Sequence, residues 1–234
     1  RLSLGQLAAH WRRQFPIPVI AVTGSNGKTT VKNMIAAILN VAGPTLATQG
    51  NLNNDIGVPL TLLRLRQGDR HAVIEMGMNH PGEIDYLTRL AHPTIALINN
   101  AAAAHLAGLG SVEAVARAKG EIYAGLAADG IAVINADDAY ADLWRELAAP
   151  HRIITFGLDR PADVSAECEL DAGGSTIHLK TPHGGISMRL SLLGRHNVMN
   201  ALAASSASLA AGASLADIQA GLEKLNSVSG RLEV

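Results

Sequence analysis

Short, continuously apolar runs alternate with segments of helical period from Pro18 to about Phe156. The runs are VIAV (Val19 to Val22), HAVIEM (His71 to Met76), TIALI (Thr94 to Ile98), GIAVI (Gly130 to Ile134) and RIITF (Arg152 to Phe156). Their β-branched, uninterrupted apolar character suits strands buried on both faces of a parallel sheet. Between them the spacing predicts helices over Thr29 to Val41, Val58 to Arg66, Gly82 to Leu90, Ser111 to Ala127 and Ala139 to Ala148. That alternation predicts an α/β fold with a doubly wound, mostly parallel sheet. The pattern changes after Gly157. DVSAECELDAGG, STIHLKTPHGG and ISMRLSLLG read as shorter strands joined by Gly-rich turns, hence a small antiparallel side sheet. Two helices follow, Asn197 to Ala211 and Leu215 to Leu225, and Ser214 with Asp217 three residues on gives the second a capping signal.

Composition narrows the function. The chain has 234 residues, 48% hydrophobic, 17% charged and 3% aromatic, enough to bury roughly 70% of its unfolded surface. Its formal charge is −1, with no run of five or six like charges and no cluster of aromatics, so a nucleic-acid partner is not expected. The single cysteine, Cys168, excludes an internal disulfide framework. The opening residues, RLSLGQLAAHWRRQF, lack the apolar core of a signal peptide, and no stretch approaches the roughly 20 apolar residues of a membrane span. A soluble, cytoplasmic protein is expected, and a monomer.

The strongest chemistry lies in VIAVTGSNGKTTVKNMIAAIL. A buried strand ends at Val22, a Gly-containing turn follows, and Lys28-Thr29-Thr30 opens a helix. Backbone N–H groups of such a turn, from Gly24 through Ser25, Asn26 and Gly27 to Thr30, aimed by a helix N-terminus, make a concave anion site. Lys28 would reach terminal phosphates and the Thr29 hydroxyl would coordinate Mg²⁺. The match is to the short form GxxGKT, because Val22 stands where the longer phosphate-loop pattern has its first glycine. The plain alternative is a Gly-rich turn carrying a surface lysine.

Ligands of doubly wound sheets sit beyond the carboxyl ends of the strands, so residues directly after the apolar runs are candidates. Glu75, near the end of AVIEM, is a carboxylate in an apolar strand and needs a cation or donor, either Mg²⁺ or a structural arginine. His105, in NNAAAAH after TIALI, is a possible metal ligand or a plain loop histidine. In SVEAVARAKGEIYAGL, Lys119 falls on the apolar stripe formed by Val112, Val115, Ile122 and Leu126. Burial lowers a lysine's pKa, and the neutral amine can react with CO₂ to give a carbamate able to hold Mg²⁺. A snorkelling lysine, or one paired with an acid, is the alternative. In GRHNVMNALAASSASLAAG, Asn197 and Asn200 share a helix face and offer donors and acceptors for a base, although Asn197 also suits a helix cap.

Taken together, TGSNGKTT, the acid of IEMG, the NNAAAAHL histidine, the ARAKGEI lysine and the GRHNVMNALAA helix resemble the Mur ligase family over essentially the whole chain. GNLNNDIGVPLTLLRL and NHPGEI are similar to the member that adds D-alanyl-D-alanine to UDP-N-acetylmuramoyl-tripeptide. The resemblance implies ATP-dependent peptide-bond formation through an acyl phosphate, with ATP and Mg²⁺ as cofactors. It implies Thr29 and Glu75 at one ion, and His105 and carbamylated Lys119 at another. Asn197 and Asn200 would contact adenine, Arg231 the terminal phosphate, and Asn53 and Asn54 the muramyl substrate. Residues 1–17 would then be a connection from an N-terminal domain and residues 18–234 the central ATP-binding domain, with a C-terminal domain absent and the piece alone inactive in ligation. Two readings compete: a sister ligase of the Mur or folylpolyglutamate type, and a nucleotide-binding module without ligase chemistry.

Overall fold

A computed structural model of the chain describes residues 1–103 and 110–228. Six parallel strands form the main sheet in the order β2-β3-β1-β4-β5-β6: β1 Val19–Thr23, β2 Thr45–Ala47, β3 His71–Glu75, β4 Ile95–Ile98, β5 Ile131–Asn135 and β6 Arg152–Phe156. The helices are α1 Leu2–Arg12, α2 Lys28–Ala42, α3 Gly57–Leu62, α4 Glu83–Ala91, α5 Val112–Gly120, α6 Ala141–Ala148, α7 Arg195–Ala210 and α8 Leu215–Val228. Strands β7 Ser165–Asp171, β8 Gly174–Thr181 and β9 Gly184–Leu190 form a separate antiparallel sheet. The expected architecture, a doubly wound sheet with a small side sheet, is therefore present.

Alternate residues of each strand feed opposite faces. Val19 and Ala21 of β1 enter a core shared with α1, α3, α4, α5 and α6. Ile20 and Val22 enter another, built with α2, α7, α8 and the inner residues Ile177, Leu179, Met188 and Leu190 of the side sheet. Covering on both faces is what the continuous apolar runs demanded.

The connections place the site. The chain runs from β1 to β2 and β3 on one side, then crosses to β4 on the other, so the order reverses at β1. A crevice opens at such a switch point, outside the carboxyl ends of the strands. Pairing of Val22 with Glu75 and of Thr23 with Ile98 brings the ends of β3, β1 and β4 level there.

The structure corrects several boundaries. Strand β2, only three residues long, was not anticipated. RIITF is an edge strand on which Arg152 is exposed and only Phe156 is buried, rather than one covered on both faces. The helix expected over Ser111 to Ala127 stops at Gly120 and tightens to a 3₁₀ turn, Glu121–Gly125. There the Thr88 hydroxyl donates to the Ile122 carbonyl at 2.8 Å, and a Cβ on Gly125 would lie 2.4 Å from the Thr88 backbone. α3 is also shorter than expected. The capping signal before α8 is realised, with Asp217 N–H donating to Ser214 Oγ and Ser214 N–H to Asp217 Oδ2. Residues 2–12, expected as part of a connecting segment, are helical and pack on α3 and α4. Among the described residues no helix is long and apolar enough to cross a membrane.

Candidate active site

The turn after β1 is held in place by the loop after β4. Ser25 N–H donates to the Asn100 carbonyl at 2.9 Å, and Asn26 N–H to Asn100 Oδ1 at 2.9 Å. Ala102 N–H reaches Ser25 Oγ at 2.9 Å. Gly27 caps α2 at φ 76°, a left-handed conformation that side chains disfavour. A Cβ there would also stand 2.6 Å from Asn200 Oδ1 and 2.8 Å from Asn99 Nδ2. Lys28, the first residue of α2, turns back so that Nζ donates to the Gly24 carbonyl at 2.9 Å, spanning the turn. Burial lowers the Lys28 pKa, opposed by the nearby Glu75 carboxylate. A helix N-terminus and an ammonium thus converge, as an oligophosphate requires, whereas the N–H groups of Ser25 and Asn26, expected in the anion cradle, are taken up by Asn100.

Glu75 closes one side. It is 2% exposed, its Oε2 accepts from the Thr29 hydroxyl at 2.9 Å, and its Oε1 accepts from Asn53 Nδ2 at 2.8 Å. Its own N–H donates to Thr48 Oγ1 at 2.9 Å. The partners of this acid are therefore a hydroxyl and an amide, and no structural arginine is among them. An exposed hydroxyl beside a buried carboxylate is a hard-oxygen pair of the kind that suits Mg²⁺. Among the described residues no group of three or more His, Cys, Asp or Glu side chains forms a metal cluster.

Asn53 connects this point to a cleft of about 990 Å³, lined by Lys28, Asn51, Asn53, Asn54, Met78 and Tyr86 among others. Asn54 lies in the lining but is already engaged. Its Oδ1 accepts from Gly57 N–H at 2.9 Å and Ile56 N–H at 3.2 Å, capping the start of α3.

Lys119 is 1% exposed, which excludes the snorkelling alternative. None of the ion pairs among the described residues includes it. Burial first, and the positive charge of Lys28 second, lower its pKa to about 7. The two lysines therefore share one electrostatic neighbourhood, and the amine is half neutral near physiological pH.

Asn200 is buried on the first turns of α7, where it accepts from Asn99 Nδ2 at 2.9 Å and donates to Asn197 Oδ1 at 3.1 Å. Asn197 is not the helix cap, because Gly194 holds that place. Thr30 sits in the first turn of α2, half-buried. His105 and Arg231 lie outside the described residues. Sequence reasoning missed Asn99, Asn100, Thr48 and Lys32. The asparagine pair directly after β4 was the available signal for the first two. Lys32, 3% exposed, donates to the Thr48 carbonyl at 2.9 Å, a contact that local spacing does not disclose.

Comparison with known proteins bears on this geometry. The Mur ligase middle domain matches residues 22–208. The chain is 49% identical over 234 residues to UDP-N-acetylmuramoyl-tripeptide--D-alanyl-D-alanine ligase of Escherichia coli K12, covering 99% of this chain and 52% of that protein. It is 38% identical over 232 residues to the ligase of the same name from Bacillus subtilis, covering 99% and 50%. A crystal structure of MurF from Acinetobacter baumannii superimposes with a TM-score of 0.92 at 46% identity, over 95% of this chain and 49% of that one. MurF ligase from Thermotoga maritima in complex with ADP gives 0.79 at 26% identity, over 93% and 51%. The chain spans about half the length of the curated relatives it matches.

Proposed function

From the premise that the chain belongs to the Mur ligase family through its middle domain, we propose that it is the ATP-binding catalytic core of a ligase adding D-alanyl-D-alanine to UDP-N-acetylmuramoyl-tripeptide. The observation that carries the reading is the hydrogen-bonded chain Thr29–Glu75–Asn53. It joins the phosphate loop directly to the wall of the large cleft. One network thus touches both the place of the nucleotide and a place large enough for its co-substrate.

The chemistry follows from charge. The terminal carboxylate of the tripeptide attacks the γ-phosphorus of ATP, forming an acyl phosphate and releasing ADP. The amine of D-alanyl-D-alanine then attacks the acyl carbon, and phosphate leaves through a tetrahedral intermediate. An anion must approach a polyanion in the first step, so cations have to offset the repulsion. Lys28 supplies one at the loop. Thr29 and Glu75 would hold Mg²⁺, which supplies further positive charge at the phosphates when bound. Lys119, buried near Lys28 and without a counter-ion among the described residues, suits conversion to a carbamate, which with His105 would hold a second Mg²⁺. Backbone N–H groups of Gly27 to Thr30 cradle the phosphates, those of Ser25 and Asn26 being spent on Asn100, Asn197 and Asn200 face the base, Arg231 meets the terminal phosphate, and Asn53 with Asn54 faces the muramyl peptide.

In the same reading residues 1–17 connect to an N-terminal domain, residues 18–234 are the central domain, and the enzyme works in the cytoplasm. The test is phosphate release by the full-length protein with ATP, UDP-N-acetylmuramoyl-tripeptide and a panel of acceptor amines. Stimulation by D-alanyl-D-alanine above single amino acids is the expected result. Stimulation by another amine, or by a folate with glutamate, assigns a sister ligase instead, and ADP formation indifferent to every acceptor leaves a nucleotide-binding module.

A further inference from the structure

Three carboxamides run from the phosphate loop to α7, and their hydrogen bonds have a direction. The oxygen and nitrogen of an asparagine amide have nearly the same shape, so fixed neighbours must decide which way each one faces. Here both ends of the relay are fixed. The main-chain carbonyl of Asn26 can only accept, so Asn99 turns Nδ2 to it at 3.0 Å. The same nitrogen lies 2.9 Å from Asn200 and spends its second hydrogen there, which obliges Asn200 to present Oδ1. Asn200 then gives Nδ2 to Asn197 Oδ1 at 3.1 Å. Asn197 in turn gives Nδ2 to the Leu193 carbonyl at 2.9 Å, again a pure acceptor. Reversing any one amide sets two donors or two acceptors against each other.

Asn99 itself is immobilised. It is 1% exposed, its N–H donates to the Thr23 carbonyl at 2.9 Å, and its carbonyl accepts from Asn135 Nδ2 at 2.9 Å. Its Oδ1 has no partner among the described residues, so the orientation is set by the two bonds from Nδ2. The relay leaves one N–H and one lone pair unspent on each of Asn200 and Asn197, and where the two amides meet the spare N–H of Asn200 stands beside the spare lone pair of Asn197 Oδ1.

We propose that Asn99 is a positioning residue that sets the nucleobase preference, by holding Asn200 with an N–H and Asn197 with an oxygen toward the base of the bound triphosphate. The proposal rests on the reading that Asn197 and Asn200 face the base. A donor beside an acceptor matches adenine, which offers a ring nitrogen beside an exocyclic amino group. Hypoxanthine and guanine carry a keto oxygen in place of that amino group, and it would oppose the oxygen of Asn197.

The test is steady-state kinetics of the full-length enzyme with ATP, ITP and GTP. Asn99→Asp replaces the donor with an acceptor facing the Asn26 carbonyl and Asn200 Oδ1, so the relay loses its only consistent direction. The preference for ATP over ITP and GTP in kcat/KM is expected to fall by about tenfold or more, as expected when a hydrogen-bonding site is mispaired. The triphosphate is common to all three substrates, so any disturbance of the phosphate loop cancels in the ratio. Equal losses with all three nucleotides would overturn the proposal and leave Asn99 as loop support only. Asn99→Ala removes the same donor without adding charge and carries the comparison if thermal melting shows N99D to be unfolded. Asn200→Ala separates the two layers. If N200A leaves the ATP preference intact, the base-contact reading fails and takes the proposal with it; if N200A abolishes the preference while N99D and N99A keep it, the relay alone is wrong.

Discussion

Replacing Lys119 with methionine gives a stability effect whose sign and size follow from burial. The side chain is 1% exposed and its pKa is lowered from 10.5 to about 7. The unfolded chain keeps that proton until pH 10.5, whereas the folded chain releases it near pH 7. Between those values the unfolded state binds more protons, so stability rises with pH across the window and is flat below it. At 1.36 kcal/mol per pKa unit, holding the ammonium inside costs about 4 kcal/mol at pH 7 and nothing above pH 10.5. Methionine is similar in length and uncharged. Lys119→Met should therefore stabilise the fold by about 4 kcal/mol at pH 7, moving a urea midpoint upward by more than about 1 M. The assay is urea unfolding of both proteins in CO₂-free buffer between pH 6.5 and 9.5. The two stability curves should converge as pH rises. Added bicarbonate should stabilise the wild type alone, because a carbamate turns a cation beside Lys28 into an anion. Parallel curves, or a bicarbonate effect shared by both proteins, would show that Lys119 is not the group described.

Other sites carry sharper consequences for binding. Gly27→Ala forces a side chain into φ 76° and against Asn200 and Asn99, so it should cost about 1–3 kcal/mol and abolish nucleotide binding, read by melting and by titration with ATP. Lys32→Met removes the tie from α2 to the Thr48 carbonyl, at the start of the loop that carries Asn53. It should raise KM for the muramyl substrate about tenfold in the full-length enzyme, with a smaller change in KM for ATP, and Lys32→Arg should restore part of the loss. Asn53→Ala frees Glu75 Oε1 and should weaken Mg²⁺ activation, seen as a higher Mg²⁺ concentration for half-maximal rate.

How legible the site was depends on the range over which each residue is fixed. The phosphate loop could be read directly, because its geometry is written in consecutive residues between a buried strand and a helix. The period put Lys119 on an apolar stripe but left a snorkelling side chain open, and its burial is decided only by the fold. Edge strands behaved differently. The apolar letters of RIITF match those of a central strand, and only the topology places β6 at a margin where Arg152 is exposed. The break at Gly120 was hidden because its causes, the Thr88 hydroxyl and backbone, lie more than thirty residues away. Lys32 and Asn99 were missed because their partners also lie in other elements, 16 and 101 residues along the chain. Both sit in regular elements or directly after them; the parallel pairing of β2 with β3 sets Thr48 in place for Lys32, and that of β1 with β4 brings Asn99 to the phosphate loop.

The central claim is that Thr29 and Glu75 act as one site with the phosphate loop. Titration of a fluorescent ATP analogue into the protein, with and without Mg²⁺, tests it for the wild type and for Glu75→Gln. The account expects Mg²⁺ to tighten binding to the wild type by about tenfold or more and to have little effect on E75Q. Equal tightening of both proteins by Mg²⁺ would contradict it.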